Sequence, residues 1–196
     1  MPYHHRGATI AGIAFSNAFL GICHSLAHQV GAKFHLPHGM TCAILLPHVV
    51  NYNASESPTK MGIYPSYHYP QAAERYAAIA KHIGAPTNDT AGLITMIYDV
   101  MSELGTPLTF QDAEVDEQAF LNSLDDLSKD AFDDQCTAAN PRYPLVSELK
   151  EILLKSYYGA KGFEERYCTK EQAEEAPAQP ELKENDDDDV YEAVVQ

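Results

Sequence analysis

Four of the nine histidines fall within fifteen residues: His24, His28, His35 and His38. His24 and His28 are four apart, so on a helix they share one face. His38 follows after Gly31 and the Pro37-His38-Gly39 start of a second segment, where a turn can fold it back toward the first two. Neutral imidazole is a ligand for Zn, Fe, Cu and Ni near pH 7. The i, i+4 pair alone fits a hydrogen-bonded core face better than it fits a metal. The third ring, placed after a glycine turn, is what brings metal binding level with the core reading.

The elements that must position these rings read as helices. Gly7 to Val30 is rich in Ala, Ile, Leu and Phe and lacks proline, which predicts one long buried helix ending near Gly31. A second helix is expected from Pro37 or His38 to about Tyr52, with Pro37 in a first turn and a kink or break at Pro47. Asn51 to Tyr69 reads as loop, including an aromatic group of Tyr64, Tyr67, His68 and Tyr69. Further helices are predicted over Pro70–His82, from a cap at Asp89 or Thr90 to Leu104, over Asp116–Leu127, and over Val146–Tyr158 ending at Gly159. Asp130 to Pro144 is irregular, since Asn140-Pro141 and Tyr143-Pro144 resist a helix. Strand alternation is lacking, so the expected fold is all-α with about six helices.

Charge divides the 196 residues. The chain carries 28 acidic and 13 basic residues, a net charge of −15. Glu164 to Gln196 holds 12 of the acids against three bases, so a mildly acidic helical part, 1–163, is followed by an acidic, disordered tail, 164–196. This balance speaks against nucleic acid or an anionic membrane as partner. Asp186 to Asp189, four carboxylates without a glycine turn, do not form an EF-hand. Cys23, Cys42, Cys136 and Cys168 are widely spaced without a CxxC, and no signal peptide is evident, which points to the cytoplasm. Asp133-Asp134-Gln135-Cys136 is expected to be a capping and docking loop. The acidic neighbours should raise the Cys136 thiol and make it a poor nucleophile.

Gly21-Ile22-Cys23-His24-Ser25-Leu26-Ala27-His28-Gln29-Val30-Gly31, followed by Pro37-His38-Gly39, resembles the signature of the iron-dependent alcohol dehydrogenases. The likeness is closest to the alcohol dehydrogenase half of the bifunctional aldehyde-alcohol dehydrogenases. It extends through Ala8–Phe15, Val50–Asn53, Phe132–Pro144 and Ser147–Leu154, covering about residues 7 to 160. The resemblance implies the family's all-α, metal-binding C-terminal domain, without the N-terminal α/β domain that binds NAD. It implies Fe²⁺ as the metal, with Zn²⁺ as the alternative, and a small alcohol or aldehyde as substrate, acetaldehyde and ethanol in the intact protein. It assigns His24 and His38 as metal ligands. It places His28 beside the nicotinamide, as a catalytic proton-relay and cofactor-binding residue. His35 matches no family function and is expected in a turn or at the surface.

The family's other two ligands are an Asp and a His preceding His24, yet the first carboxylate in this chain is Glu56. The chain is therefore expected to be a C-terminal portion, inactive alone, that works with the N-terminal half or with homologous subunits. A homo-oligomer or filament follows from the same likeness. The competing expectations are a non-enzymatic assembly module of the helical filaments called spirosomes, and a free-standing helical metal-binding protein using His24, His28 and His38.

Overall fold

The computed structural model describes residues 2–55 and 71–167. Among them are seven α-helices, a short 3₁₀ turn at Thr137–Ala139 and no strand, as the all-α expectation requires. The helices are α1 (Pro2–Ala18), α2 (Ile22–Phe34), α3 (His38–Asn53), α4 (Ala72–Ile83), α5 (Thr90–Glu103), α6 (Glu117–Asp133) and α7 (Val146–Tyr167). The tyrosine-rich loop and almost all of the acidic tail lie outside the described residues.

α2 is the centre of the fold and packs on α3 and α6. Its Ile22, Leu26 and Val30 recur every four residues, forming one apolar stripe with no exposed surface. Ile44 and Leu45 of α3, Phe120 of α6 and Leu149 and Leu153 of α7 close the same core. The Phe120 and Tyr157 rings stack there at 4.6 Å, and the Tyr157 hydroxyl donates to Val115 O at 2.7 Å. A second, smaller core of Val50, Ala80 and Leu93 joins α3 to α4 and α5. Asp89 and Asp116 cap α5 and α6, accepting from Gly92 N and Ala119 N at 2.8 Å.

Three helix boundaries depart from the sequence reading: the predicted helix over Gly7–Val30 is split, α6 runs past Leu127 to Asp133 and into the segment expected to be irregular from Asp130, and α7 runs past Gly159. The predicted helix Gly7–Val30 is two helices, bent by 107°. Phe19 is left-handed (φ 63) and Gly21 extended, so the backbone turns before α2 begins. No residue near Gly21 caps α2. Asn140, 118 positions away, does so instead, its Oδ1 accepting from Ile22 N at 3.3 Å. A Cβ on Gly21 would lie 2.6 Å from that oxygen, so only glycine lets the amide in. The first half of the predicted helix is also not buried: from His5 to Phe19 every residue but Gly12 is exposed.

α3 runs through Pro47 without ending. α7 does not stop at Gly159. Gly159 makes a kink (φ 74), and the helix resumes to Tyr167, four residues into the segment read as tail. Carbonyls loosened by the kink are taken up by the 110–111 segment: Phe110 N donates to Ser156 O at 3.0 Å and Gln111 N to Tyr157 O. Beyond the kink Phe163 buries itself and Arg166 lies over the Tyr158 ring, which holds the last turns in place. Among the described residues no single helix is long and apolar enough to cross a membrane; α1 and α2 pass such a test only as a bent pair.

Candidate metal centre

Three of the four clustered histidines meet. His24 and His28 project from one face of α2, and His38 opens α3 directly opposite. Their ring centroids are 5.3 Å apart for His24 and His38, 5.6 Å for His28 and His38, and 6.2 Å for His24 and His28. The turn that returns the chain is built on His35, which closes α2 in a left-handed conformation (φ 55) and stands outside the cluster, as expected.

The segment from Asp134 to Asn140 is a strap along α2. Asn140 meets the helix at Ile22, Thr137 Oγ1 lies 2.7 Å from Ser25 Oγ, and Asp134 Oδ2 lies 3.0 Å from His28 Nδ1. These contacts fall at residues 22, 25 and 28, one row of the helix surface. The loop docks, as expected. It also does something its sequence does not disclose: it gives His28 a carboxylate partner from 106 residues away. That bond occupies Nδ1, so Nε2 is the ring nitrogen left for other chemistry. Burial pushes the Asp134 carboxyl up, but the Cys136 N–H and the His28 ring outweigh it, so its pKa lies below the usual carboxylate value. Cys136 is pushed up to about 11 by burial and then by Asp134, which fits the expectation of a poor nucleophile.

Burial lowers the pKa of His24, and the neighbouring rings of His38 and His28 lower it further, so a neutral imidazole is favoured there. Cys42, one turn after His38 on α3, is a second residue that the histidine pattern alone did not single out. Its Sγ lies 3.5 Å from His38 Nε2, and ligand atoms of His24, His38 and Cys42 all fall within 4.8 Å of one another. The Cys23 thiol points to the carbonyl of Cys42 at 3.6 Å. Beside this group opens a cleft of about 510 Å³ with mostly apolar walls, including Ala43, Leu46 and Tyr76. Two or three convergent nitrogen and sulfur donors at the mouth of an apolar cleft fit a transition-metal ion with positions left open for a small molecule.

Comparison with known proteins shows the family of the chain. Residues 4–157 match the family model described as Fe-containing alcohol dehydrogenase family, C-terminal. The bifunctional aldehyde-alcohol dehydrogenase AdhE of Escherichia coli is 51% identical over 185 residues, covering 91% of this chain and 20% of that protein. Aldehyde-alcohol dehydrogenase 2 of Entamoeba histolytica is 42% identical over 158 residues, covering 79% of this chain and 18% of its own length. The chain thus spans about a fifth of the length of these relatives. The solved iron-containing alcohol dehydrogenase from Thermococcus thioreducens superimposes with a TM-score of 0.66 at 35% identity, over 79% of this chain and 36% of that one.

Proposed function

Because the chain belongs to the Fe-containing alcohol dehydrogenase family, as its C-terminal helical part, we propose that it supplies the metal-holding half of an alcohol dehydrogenase acting on small alcohols and aldehydes, acetaldehyde and ethanol in the first place. The observation that carries this reading is the convergence of the His24, His28 and His38 rings, with His24 on the wall of the apolar cleft. His24 and His38 hold Fe²⁺, or Zn²⁺, through neutral ring nitrogens. The bound ion supplies Lewis-acid polarisation of a substrate oxygen. His28 carries the proton: its Nδ1 is fixed on Asp134, so Nε2 is the atom that gives or takes a proton at the substrate oxygen. Asp134 is a positioning residue, setting the tautomer and ring plane of His28.

Hydride transfer belongs to NAD, held by an N-terminal nucleotide-binding portion of the kind the relatives' greater length accommodates. The reaction therefore runs when that portion is joined to this chain, in one polypeptide or as a separate subunit, in the cytoplasm. The exposed apolar side chains of α1, Ile10 and Ile13 above all, form the surface for that union and for assembly of copies.

The test uses the 196-residue chain with Fe²⁺, NAD and ethanol, alone and mixed with a separately produced N-terminal portion of an AdhE-type relative. Alone, NADH formation equals that of a His24→Ala control. Together, activity appears, His24→Ala and His38→Ala abolish it, and Asp134→Asn shifts its pH profile. NADH formation by the chain alone above the His24→Ala control would overturn the division of labour. Full activity of the mixture with His24→Ala and His38→Ala would overturn the ligand assignment.

A further inference from the structure

We propose that Cys42 is a metal ligand in this chain, and that His24, His38 and Cys42 form a His₂Cys site for a borderline-soft divalent cation, the thiolate moving the preference from Fe²⁺ toward Zn²⁺. The inference rests on the reading of His24 and His38 as ligands and adds a third donor of a different chemical kind.

The geometry is that of a site already shaped. His38 and Cys42 are i and i+4 on α3 and face the same way. One nitrogen and one sulfur on a tetrahedral zinc, with bonds of about 2.0 and 2.3 Å, stand about 3.5 Å apart. Cys42 Sγ and His38 Nε2 stand 3.5 Å apart. The third atom, from His24 on α2, lies within 4.8 Å of both, so small side-chain rotations close the set without moving either helix. The two helices that would have to hold still are among the most firmly placed in the fold: Leu26 on α2 and Thr41, Ile44 and Leu45 on α3 have no exposed surface. The cleft on whose wall His24 and Cys42 both lie leaves a fourth position to water or a small ligand.

The chemistry follows from the donor set. A thiolate with two imidazoles favours Zn²⁺ over Mg²⁺, Ca²⁺ or Mn²⁺, which prefer oxygen. Binding forms a metal–sulfur bond and releases the Cys42 thiol proton to solvent, so affinity rises with pH. Cys136 is no competitor for the same ion. It is buried and lies with His28 and Asp134 in a separate group.

The experiment uses the full chain, kept reduced with a phosphine and free of oxygen, titrated with Co²⁺ as the spectroscopic probe and then with Zn²⁺ in competition. The expected result is a sulfur-to-cobalt charge-transfer band in the near ultraviolet that saturates at one ion per chain. Cys42→Ser and Cys42→Ala lose the band, His24→Ala loses it, and Cys23→Ser keeps it; far-ultraviolet circular dichroism of each variant checks that the helices are intact. Loss of an outer-sphere partner costs about 10–100-fold in metal affinity, and loss of Cys42 as a direct ligand costs at least that for Zn²⁺. Cobalt bound without the band, and lost in His24→Ala, overturns the Cys42 assignment and leaves the two histidines standing. A band that survives His24→Ala, or that Cys23→Ser removes, overturns the site as drawn. No cobalt bound at all overturns the proposal, and the mixing experiment with the N-terminal portion then decides the histidines on their own.

Discussion

Helices α1 and α2 are neighbours in sequence and opposites in structure. Both are rich in apolar residues, which is why they read as one helix. On α2 the apolar residues Ile22, Leu26 and Val30 have no exposed surface; on α1 Ile10 and Ile13 are 68% and 62% exposed. α2 is capped by a distant amide, strapped along one row by the 134–140 segment, and sandwiched by α3 and α6. The side-chain hydrogen bonds of α1, from Thr9, Ser16 and Asn17, go to carbonyls of its own preceding turn. Hydrophobicity alone therefore does not place a helix in a core. What places α2 is the set of partners that reach it from the far end of the chain, and α1 has no such set among the described residues.

The largest effect should come from breaking the packed side of this pair. Leu26→Ala removes a fully buried side chain where α3 and α6 press in, and should cost about 2–5 kcal/mol by urea denaturation. A cost below about 1 kcal/mol would mean that the α2 core is looser than its burial shows.

The far face of α3 offers a pH-dependent break. His48 is 8% exposed, and burial, then the charge of Lys155, lower its pKa from 6.5 to about 4. Its surroundings also hold Arg142, Glu148, Glu151 and Tyr52. The unfolded chain takes up a proton on this ring below about pH 6.5, whereas the folded chain does so only near pH 4. Stability contributed by the neutral ring is thus present above pH 6.5 and lost as pH falls toward 4, by about 3 kcal/mol in all. Unfolding of His48→Asn measured at pH 7 and pH 4.5 should show a shallower loss than the parent chain; equal slopes would remove His48 from the account.

The joint between the two helices is smaller in energy. Asn140→Ala leaves the Ile22 N–H at the buried end of α2 without its acceptor and removes the Asn140 Nδ2 donor from Asn53 Oδ1. A buried donor left unmade costs about 1–3 kcal/mol. Thermal unfolding checks this, and an unchanged midpoint would mean that solvent caps α2 as well as Asn140 does.

How much of this was legible depends on how local the cause is. His24 and His28 share a face by arithmetic, and Asp89 caps α5 three residues from the N–H it accepts, so both were readable. Cys42 stands at the same i+4 step from His38, but a lone thiol on an apolar helix is most often a small buried side chain, so its type and spacing do not single it out. The α1–α2 break was hidden because its cap comes from Asn140. The carboxylate of His28 was hidden for the same reason. The extension of α7 was hidden because Gly159 reads as a stop; past it, Phe163 is buried and Arg166 lies over the Tyr158 ring. The reaction roles proposed for His24, His28 and His38 were legible only through family likeness, since no local pattern says which ring holds a metal and which moves a proton.

The smallest effect on stability should be at α1, and its smallness is the point. Ile10→Ser with Ile13→Ser removes two large apolar side chains from a helix of 17 residues. If those side chains serve a packed core, the chain should lose several kcal/mol, as at Leu26. Their exposure says otherwise: exposed positions away from caps and cores change stability within about 0.5 kcal/mol, and the double variant should unfold with the parent. What should change is association, since a contiguous apolar face in water favours contact with another surface. Light scattering at high concentration should show the parent chain self-associating and the double variant less so. A drop in unfolding free energy comparable to that of Leu26→Ala would mean that α1 folds onto its own chain in solution, and the contrast between α1 and α2 would then vanish.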